Sequence, residues 1–298
     1  MRLGINLCFA VKRWLEPEAW AAFVREELHL GQVQFTFDLL DPWWPATERD
    51  LIVERIRRAA QANDLSIHST AVGLAHYLPG GLLDPIPEAR TVAVRWWQRA
   101  IDVSAALGAT AVCGPVGAVS VTEASTPAAA SRRYADLVDS VDALSRYAQL
   151  AGLGGFWIEP TPIAREYPSS VEDARRLLTD LTGRGAPGVG LLLDVGHTLH
   201  QPLYGADASL ADWTGPLAPH IRAVHLDNTD GQGDPHWGWP HPQGQVDVAG
   251  VAADLRAAGL DDVPVFLEVY PRFEDPDDTV QALIRDSVAY CRAALATL

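Results

Sequence analysis

Short apolar runs alternate with longer amphipathic stretches about eight times along this chain, at roughly 37 residues per repeat. The runs at 3–9, 32–38, 65–70, 109–113, 155–159, 188–194, 221–227 and 263–268 read as strands. Between them, 18–30, 47–63, 88–107, 128–151, 170–181, 247–258 and 277–296 carry helical periodicity. Pro17 stands at a helix start, Gly108 follows a helix end, and Ser170 with Asp173 forms a capping box. The later strands are continuously apolar, as strands covered on both faces are. That pattern predicts a parallel α/β architecture. Eight repeats with no Gly-rich phosphate fingerprint after the first strand fit a (β/α)8 TIM barrel better than an open doubly wound sheet. One barrel uses all 298 residues and no linker divides them, so a single domain over 1–298 is expected.

The stretch Gly188-Val189-Gly190-Leu191-Leu192-Leu193-Asp194-Val195-Gly196-His197 is the most informative. Its apolar strand ends on a carboxylate, and burying a carboxylate unpaired costs several kcal/mol. Facing a ligand, the same residue is well placed. Three further runs end alike, on Glu159, His225 and Glu268. Strand C-terminal ends of a barrel open onto one face, so four such residues from successive repeats converge. Each acid alone could instead pair with one of the 22 arginines, and a lone histidine could be a core residue. Together, three carboxylates repel, and a divalent cation relieves them. Mixed oxygen and nitrogen donors suit Mn2+ first, then Mg2+, Co2+ or Zn2+, one ion per chain. His197 could be a fifth ligand; a hydrogen bond to a substrate oxygen is the favoured reading.

Composition narrows the function. The net charge of −15 argues against nucleic acid, which demands a clustered basic surface. Lys12 is the single lysine and lies in a polar stretch, so no buried strand lysine is available for Schiff-base chemistry. Cys8, Cys113 and Cys291 are far apart and odd in number, which suggests reduced core thiols in a cytoplasmic protein. The N-terminus runs directly into a strand without a signal-peptide pattern. The longest uncharged run, 103–122, is broken by Gly108, Gly114, Pro115 and Gly117, so no membrane helix is expected.

Longer motifs add a resemblance. They are Ile158-Glu159-Pro160 with Arg165-Glu166-Tyr167-Pro168, then Leu193-Asp194-Val195-Gly196-His197, and His225-Leu226-Asp227-Asn228-Thr229-Asp230-Gly231 running on through Asp234-Pro235-His236-Trp237. Over nearly the whole chain this layout resembles the xylose isomerase-like barrels, the sugar and sugar-phosphate isomerases and epimerases that also include endonuclease IV. Within them it is similar to the ketose 3-epimerases. The third motif and Ser287-Val288-Ala289-Tyr290 look most like the tetrulose-phosphate epimerase branch, with L-erythrulose 1-phosphate as substrate type. Two departures mark this chain: Pro115 in place of a histidine-bearing glycine loop, and the Trp/Pro-rich 237–242.

The resemblance implies a metal held by Glu159, Asp194, His225 and Glu268, with Glu159 and Glu268 moving a proton beside a polarised ketose carbonyl. It implies substrate contacts from His197, His236, Asp227, Arg165 and His68, although His236 and Arg165 also fit solvated loop positions. Trp14, Phe37, Trp237 and Trp239 could wall a sugar pocket or simply pack. Epimerisation and aldose–ketose isomerisation use the same parts, so both stay open. A C-glycoside-cleaving subunit with a partner chain and a non-catalytic sugar-binding barrel are the alternatives. An endonuclease-IV-like enzyme would need a multi-zinc cluster and a basic groove, against the acidic balance. A small sugar or sugar phosphate is the expected ligand, and a homodimer or higher homo-oligomer the expected assembly.

Overall fold

The computed structural model describes residues 1–77 and 79–296. Eight parallel strands hydrogen-bond in sequence order and close into a barrel. They are β1 (Arg2–Asn6), β2 (Gln32–Thr36), β3 (Ser66–Ala71), β4 (Ala111–Gly114), β5 (Gly155–Ile158), β6 (Val189–Asp194), β7 (Ile221–Leu226) and β8 (Pro264–Leu267). The main helices between them are α1 (Pro17–Ala22), α2 (Ala46–Ala62), α3 (Pro87–Leu107), α4 (Pro127–Leu150), α5 (Val171–Gly183), α6 (Leu210–Leu217), α7 (Val248–Ala257) and α8 (Asp277–Ala296). The predicted alternation is therefore the observed one.

By compactness the chain divides into two units. Met1–Phe35, Arg55–Ile67 and Leu193–Leu298 form the first; Thr36–Glu54 and His68–Leu192 form the second. In the first unit β1 lies beside β8, with Arg2 opposite Pro264 and Ile5 opposite Leu267. Its other edge meets β2, with Asn6 opposite Gln34. β7 meets β8 with His225 opposite Phe266. Gly4 is required there: a Cβ would lie 2.8 Å from the Phe266 ring and 2.8 Å from the Gln32 side chain. Trp20, Phe9, Phe35 and Phe266 are fully buried, each stabilising the fold by about 1.5–3 kcal/mol over exposure.

In the second unit β4 runs beside β5, and Trp97 packs edge-on against Phe156 at 4.8 Å. Trp96 continues the cluster to Phe37 at 5.5 Å. Helix α3 ends where Gly108 takes φ +77°, the left-handed cap that spares a Cβ clash.

The first strand is shorter than its apolar run suggests. Leu7–Ala10 is a 3-10 turn, because the Asn6 side chain accepts the Cys8 N–H at 2.9 Å and bends the chain out of the sheet. The expected helix over 18–30 is α1 followed by a π-type turn, Phe23–Glu27. Cys8, Cys113 and Cys291 are buried thiols. Among the described residues no helix is long and apolar enough to cross a membrane.

Candidate functional site

Asp194 is the last residue of β6 and has no exposed surface. One carboxylate oxygen accepts the His197 N–H at 2.9 Å, so Asp194 caps the short helix Val195–Thr198. The other oxygen has no hydrogen-bond partner and lies 3.7 Å from His225 Nδ1. His225 sits in β7 and is 1% exposed. Its Nδ1 is 2.8 Å from Glu268 Oε2, and its Nε2 is 2.5 Å from Gln34 Oε1. Glu268 follows β8; its N–H donates to the Leu226 carbonyl at 3.0 Å, and its Oε1 accepts from Asn6 Nδ2 at 2.7 Å. Glu159 follows β5, with its N–H on the Gly114 carbonyl at 3.1 Å. Asp194, His225 and Glu268 are buried together in the first unit, and Glu159 is buried in the second.

The segment after β7 builds the surroundings. Asn228 and Trp237 exchange backbone hydrogen bonds, each 2.9 Å, and so return the chain toward its start. His236 lies at the turn of this excursion with φ +47°, a conformation that costs a non-glycine residue about 1–3 kcal/mol and recurs at functional positions. Its Nε2 is 3.1 Å from Asp234 Oδ1 and its Nδ1 is 3.4 Å from Glu268 Oε2. His197 Nε2 reaches the same Asp234 oxygen at 3.3 Å, with the two imidazole rings nearly perpendicular. Asp227 is wholly buried; one oxygen accepts the Gly196 N–H at 2.8 Å and the other has no hydrogen-bond partner. Gly196 leaves it room, since a Cβ there would collide with that second oxygen. Asp194, His197 and His236, and likewise Asp227, Asp234 and His236, are further sets with ligand atoms within 4.8 Å.

The electrostatics follow from this crowding. Burial, and then the neighbouring Asp194, push the Asp227 carboxyl well above the usual range. Burial also works to raise Glu268, but the charge and hydrogen bond of His225 outweigh it and hold Glu268 below its ordinary value. Asp234 is held far below the carboxylate range because His197 and His236 overcome its desolvation. His236 is raised despite burial, through Asp234, Asp227 and Asp194. Buried carboxylate oxygens without hydrogen-bond partners, on Asp194 and Asp227, amid imidazole nitrogens are what a divalent cation with oxygen and nitrogen donors requires. The residues fit such an ion.

The remaining expected residues are placed as follows. Arg165 is exposed and donates to the Val119 carbonyl at 2.9 Å. His68 is in β3, with Nδ1 3.3 Å from Ser69 Oγ and its ring 5.9 Å from that of Trp157. Of the aromatic residues, Trp14 stacks on Phe23, Phe37 is core, Trp239 is buried against Tyr290, and Trp237 stacks on His241. The sequence assigns no role to Asn6 or Gln34, and Asp234 enters it only as part of the third motif. Asn6 and Gln34 carry a signal, being polar residues on strands that pack their neighbours inside; Asp234 is visible only in the Asp-x-His spacing to His236.

The family model described as xylose isomerase-like TIM barrel matches residues 27–293. A Rhodospirillum rubrum structure that bears the provisional name of a xylose isomerase is 41% identical, superposes with a TM-score of 0.95, and matches over 98% of this chain and 99% of that one. The D-erythrulose 1-phosphate 3-epimerase of Brucella abortus is 22% identical, over 97% of this chain and 95% of its own length. The D-psicose 3-epimerase of Clostridium cellulolyticum H10, solved with D-tagatose, shares the fold at a TM-score of 0.75 and 14% identity, over 99% of both chains. The relatives named by activity are sugar epimerases and isomerases. The chain belongs to the xylose isomerase-like TIM barrel family.

Proposed function

We propose that this chain is a divalent-metal-dependent epimerase or isomerase of a small ketose or ketose phosphate, with a tetrulose phosphate favoured. The observation that carries the reading is the buried set Asp194, His225 and Glu268, with His225 Nδ1 2.8 Å from Glu268 and 3.7 Å from Asp194, to which we add Glu159 at the end of β5 as the fourth residue. These four residues would hold the ion, Mn2+ by preference. A divalent cation there supplies Lewis acidity, polarising a substrate carbonyl and acidifying the neighbouring C–H.

The chain's own residues do the rest. Glu159 and Glu268 are the two carboxylates positioned to take and return a proton, giving an enediolate between the two transfers. Glu268 suits the role of base because His225 keeps it ionised. His197 and His236, with Asp227 behind them, line the surroundings and would contact substrate oxygens. His68 and Arg165 are the outer candidates for substrate contact. We take residues 1–298 as one catalytic domain of a cytoplasmic homo-oligomer acting on a small sugar.

The test is proton NMR in D2O with metal-loaded protein and a panel of ketoses and ketose phosphates. The expected result is deuterium entering beside the carbonyl, abolished by chelator and in Glu268→Gln, and the product formed tells epimerase from isomerase. No exchange with any member of the panel would overturn the reading and direct attention to C–glycoside cleavage or plain sugar binding.

A further inference from the structure

The hydrogen bonds around His225 can be assigned from a group that cannot reverse its role. The Cys8 backbone N–H can only donate, and it donates to Asn6 Oδ1 at 2.9 Å. The Asn6 amide orientation is thereby fixed, with Nδ2 turned away from the turn. Its two hydrogens go to Gln34 Oε1 at 2.8 Å and to Glu268 Oε1 at 2.7 Å. The Gln34 atom facing Asn6 must then be its carbonyl oxygen, and this atom also faces His225 Nε2 at 2.5 Å. An amide oxygen has two lone pairs and no proton, so His225 Nε2 must be the donor. The ring nitrogen left facing Glu268 Oε2 and Asp194 Oδ2, at 2.8 and 3.7 Å, is Nδ1.

We propose that Asn6 and Gln34 are positioning residues: they keep a proton on His225 Nε2, so that Nδ1, which faces Glu268 Oε2 at 2.8 Å, is the nitrogen left to exchange its proton for a cation, and they hold Glu268 by Oε1 so that Oε2 turns inward. Sheet register makes this possible, because Asn6 and Gln34 are opposed across β1 and β2. Both partners are almost wholly buried, Asn6 at 1% and Gln34 at 0%, so water does not compete for these bonds. Ligand orientation by such outer hydrogen bonds is typically worth 10–100-fold in metal affinity. The purpose of the lock rests on the metal reading above, whereas its existence rests on the hydrogen bonds alone.

Two measurements separate those claims. In metal-free protein labelled with 15N-histidine, long-range proton–nitrogen correlation identifies which His225 nitrogen bears the hydrogen-bonded proton, with assignment by loss of the signal in His225→Gln. The expected result is a hydrogen-bonded proton on Nε2, lost to exchange in Gln34→Met and restored in Gln34→Glu, which keeps an acceptor. Titration with Co2+ should then show binding weakened about 10–100-fold in Gln34→Met and in Asn6→Ala. An unprotonated Nε2 in the wild type overturns the proposal, and so does Gln34→Met with an unchanged ring spectrum and Co2+ affinity within twofold. If the wild type binds no divalent ion, the functional reading fails while the ring spectrum still decides the lock. If Gln34→Met does not fold, the wild-type spectrum decides it.

Discussion

Asp194→Asn should make the metal-free protein more stable and abolish the further stabilisation that metal gives the wild type. The Asp194 oxygen that accepts the His197 N–H survives the change as the amide oxygen. The other oxygen is fully buried without a hydrogen-bond partner, 3.7 Å from the His225 Nδ1 that also faces Glu268. Replacing it by NH2 removes a negative charge near Glu268 and puts a donor where an acceptor had no partner. Relieving an unsatisfied buried polar atom is worth about 1–3 kcal/mol. Unfolding entropy of about 2.1 cal/mol/K per residue, over 298 residues, makes each kcal/mol worth about 1.6 °C. The variant should therefore melt about 2–5 °C above the wild type when both are stripped of metal. Adding Mn2+ to 100 times its Kd should raise the wild type by about 2.7 kcal/mol, or about 4 °C. Asp194→Asn should show no such increment. Scanning calorimetry on chelator-treated and Mn2+-loaded samples reads all four states. A metal-free variant that melts below the wild type, or one that keeps the Mn2+ increment, would refute the reasoning.

Other perturbations test neighbouring parts. Glu159→Gln and Glu268→Gln should each slow deuterium incorporation into substrate by about 10²–10⁴-fold, read by NMR, since each removes a proton-transfer group. Asp227→Asn keeps the acceptor for Gly196 but cannot ionise. Because the folded Asp227 carboxyl is raised above its ordinary 3.8, wild-type stability falls as pH climbs from there through the folded value. The Tm advantage of the variant in metal-free protein should hence be absent in acid, open above about pH 4 and then level off; a gap that widens toward acid contradicts it. Gly196→Ala forces a methyl against Asp227 and should lower the metal-free Tm by about 2–5 °C, the usual 1–3 kcal/mol of overpacking.

The barrel was legible because strands covered on both faces and helices covered on one write different periods into the sequence. The four residues of the proposed site stand out in the sequence for a related reason: a charged or imidazole side chain ending an apolar run differs from its neighbours. Boundaries were less so. Leu7-Cys8-Phe9 is as apolar as the strand before it, and only the Asn6 side chain reaching Cys8 N–H turns the chain there. Asn6 and Gln34 show locally only as polar residues on buried strands; what they do depends on register between β1 and β2, which no local pattern encodes. The positive φ of His236 was equally hidden, since nothing in Asp234-Pro235-His236 demands it.

The bond from Asn6 to Glu268 spans 262 positions of sequence. A ribosome adding about 5–20 residues per second takes about 13–50 s to travel that far. Throughout that interval Asn6 has been made and its acceptor has not. The emerging polypeptide therefore holds at most Glu159, Asp194 and His225, and presents them without the group that completes the set. If the four residues proposed above hold a cation, they can do so together only after β8 has been translated.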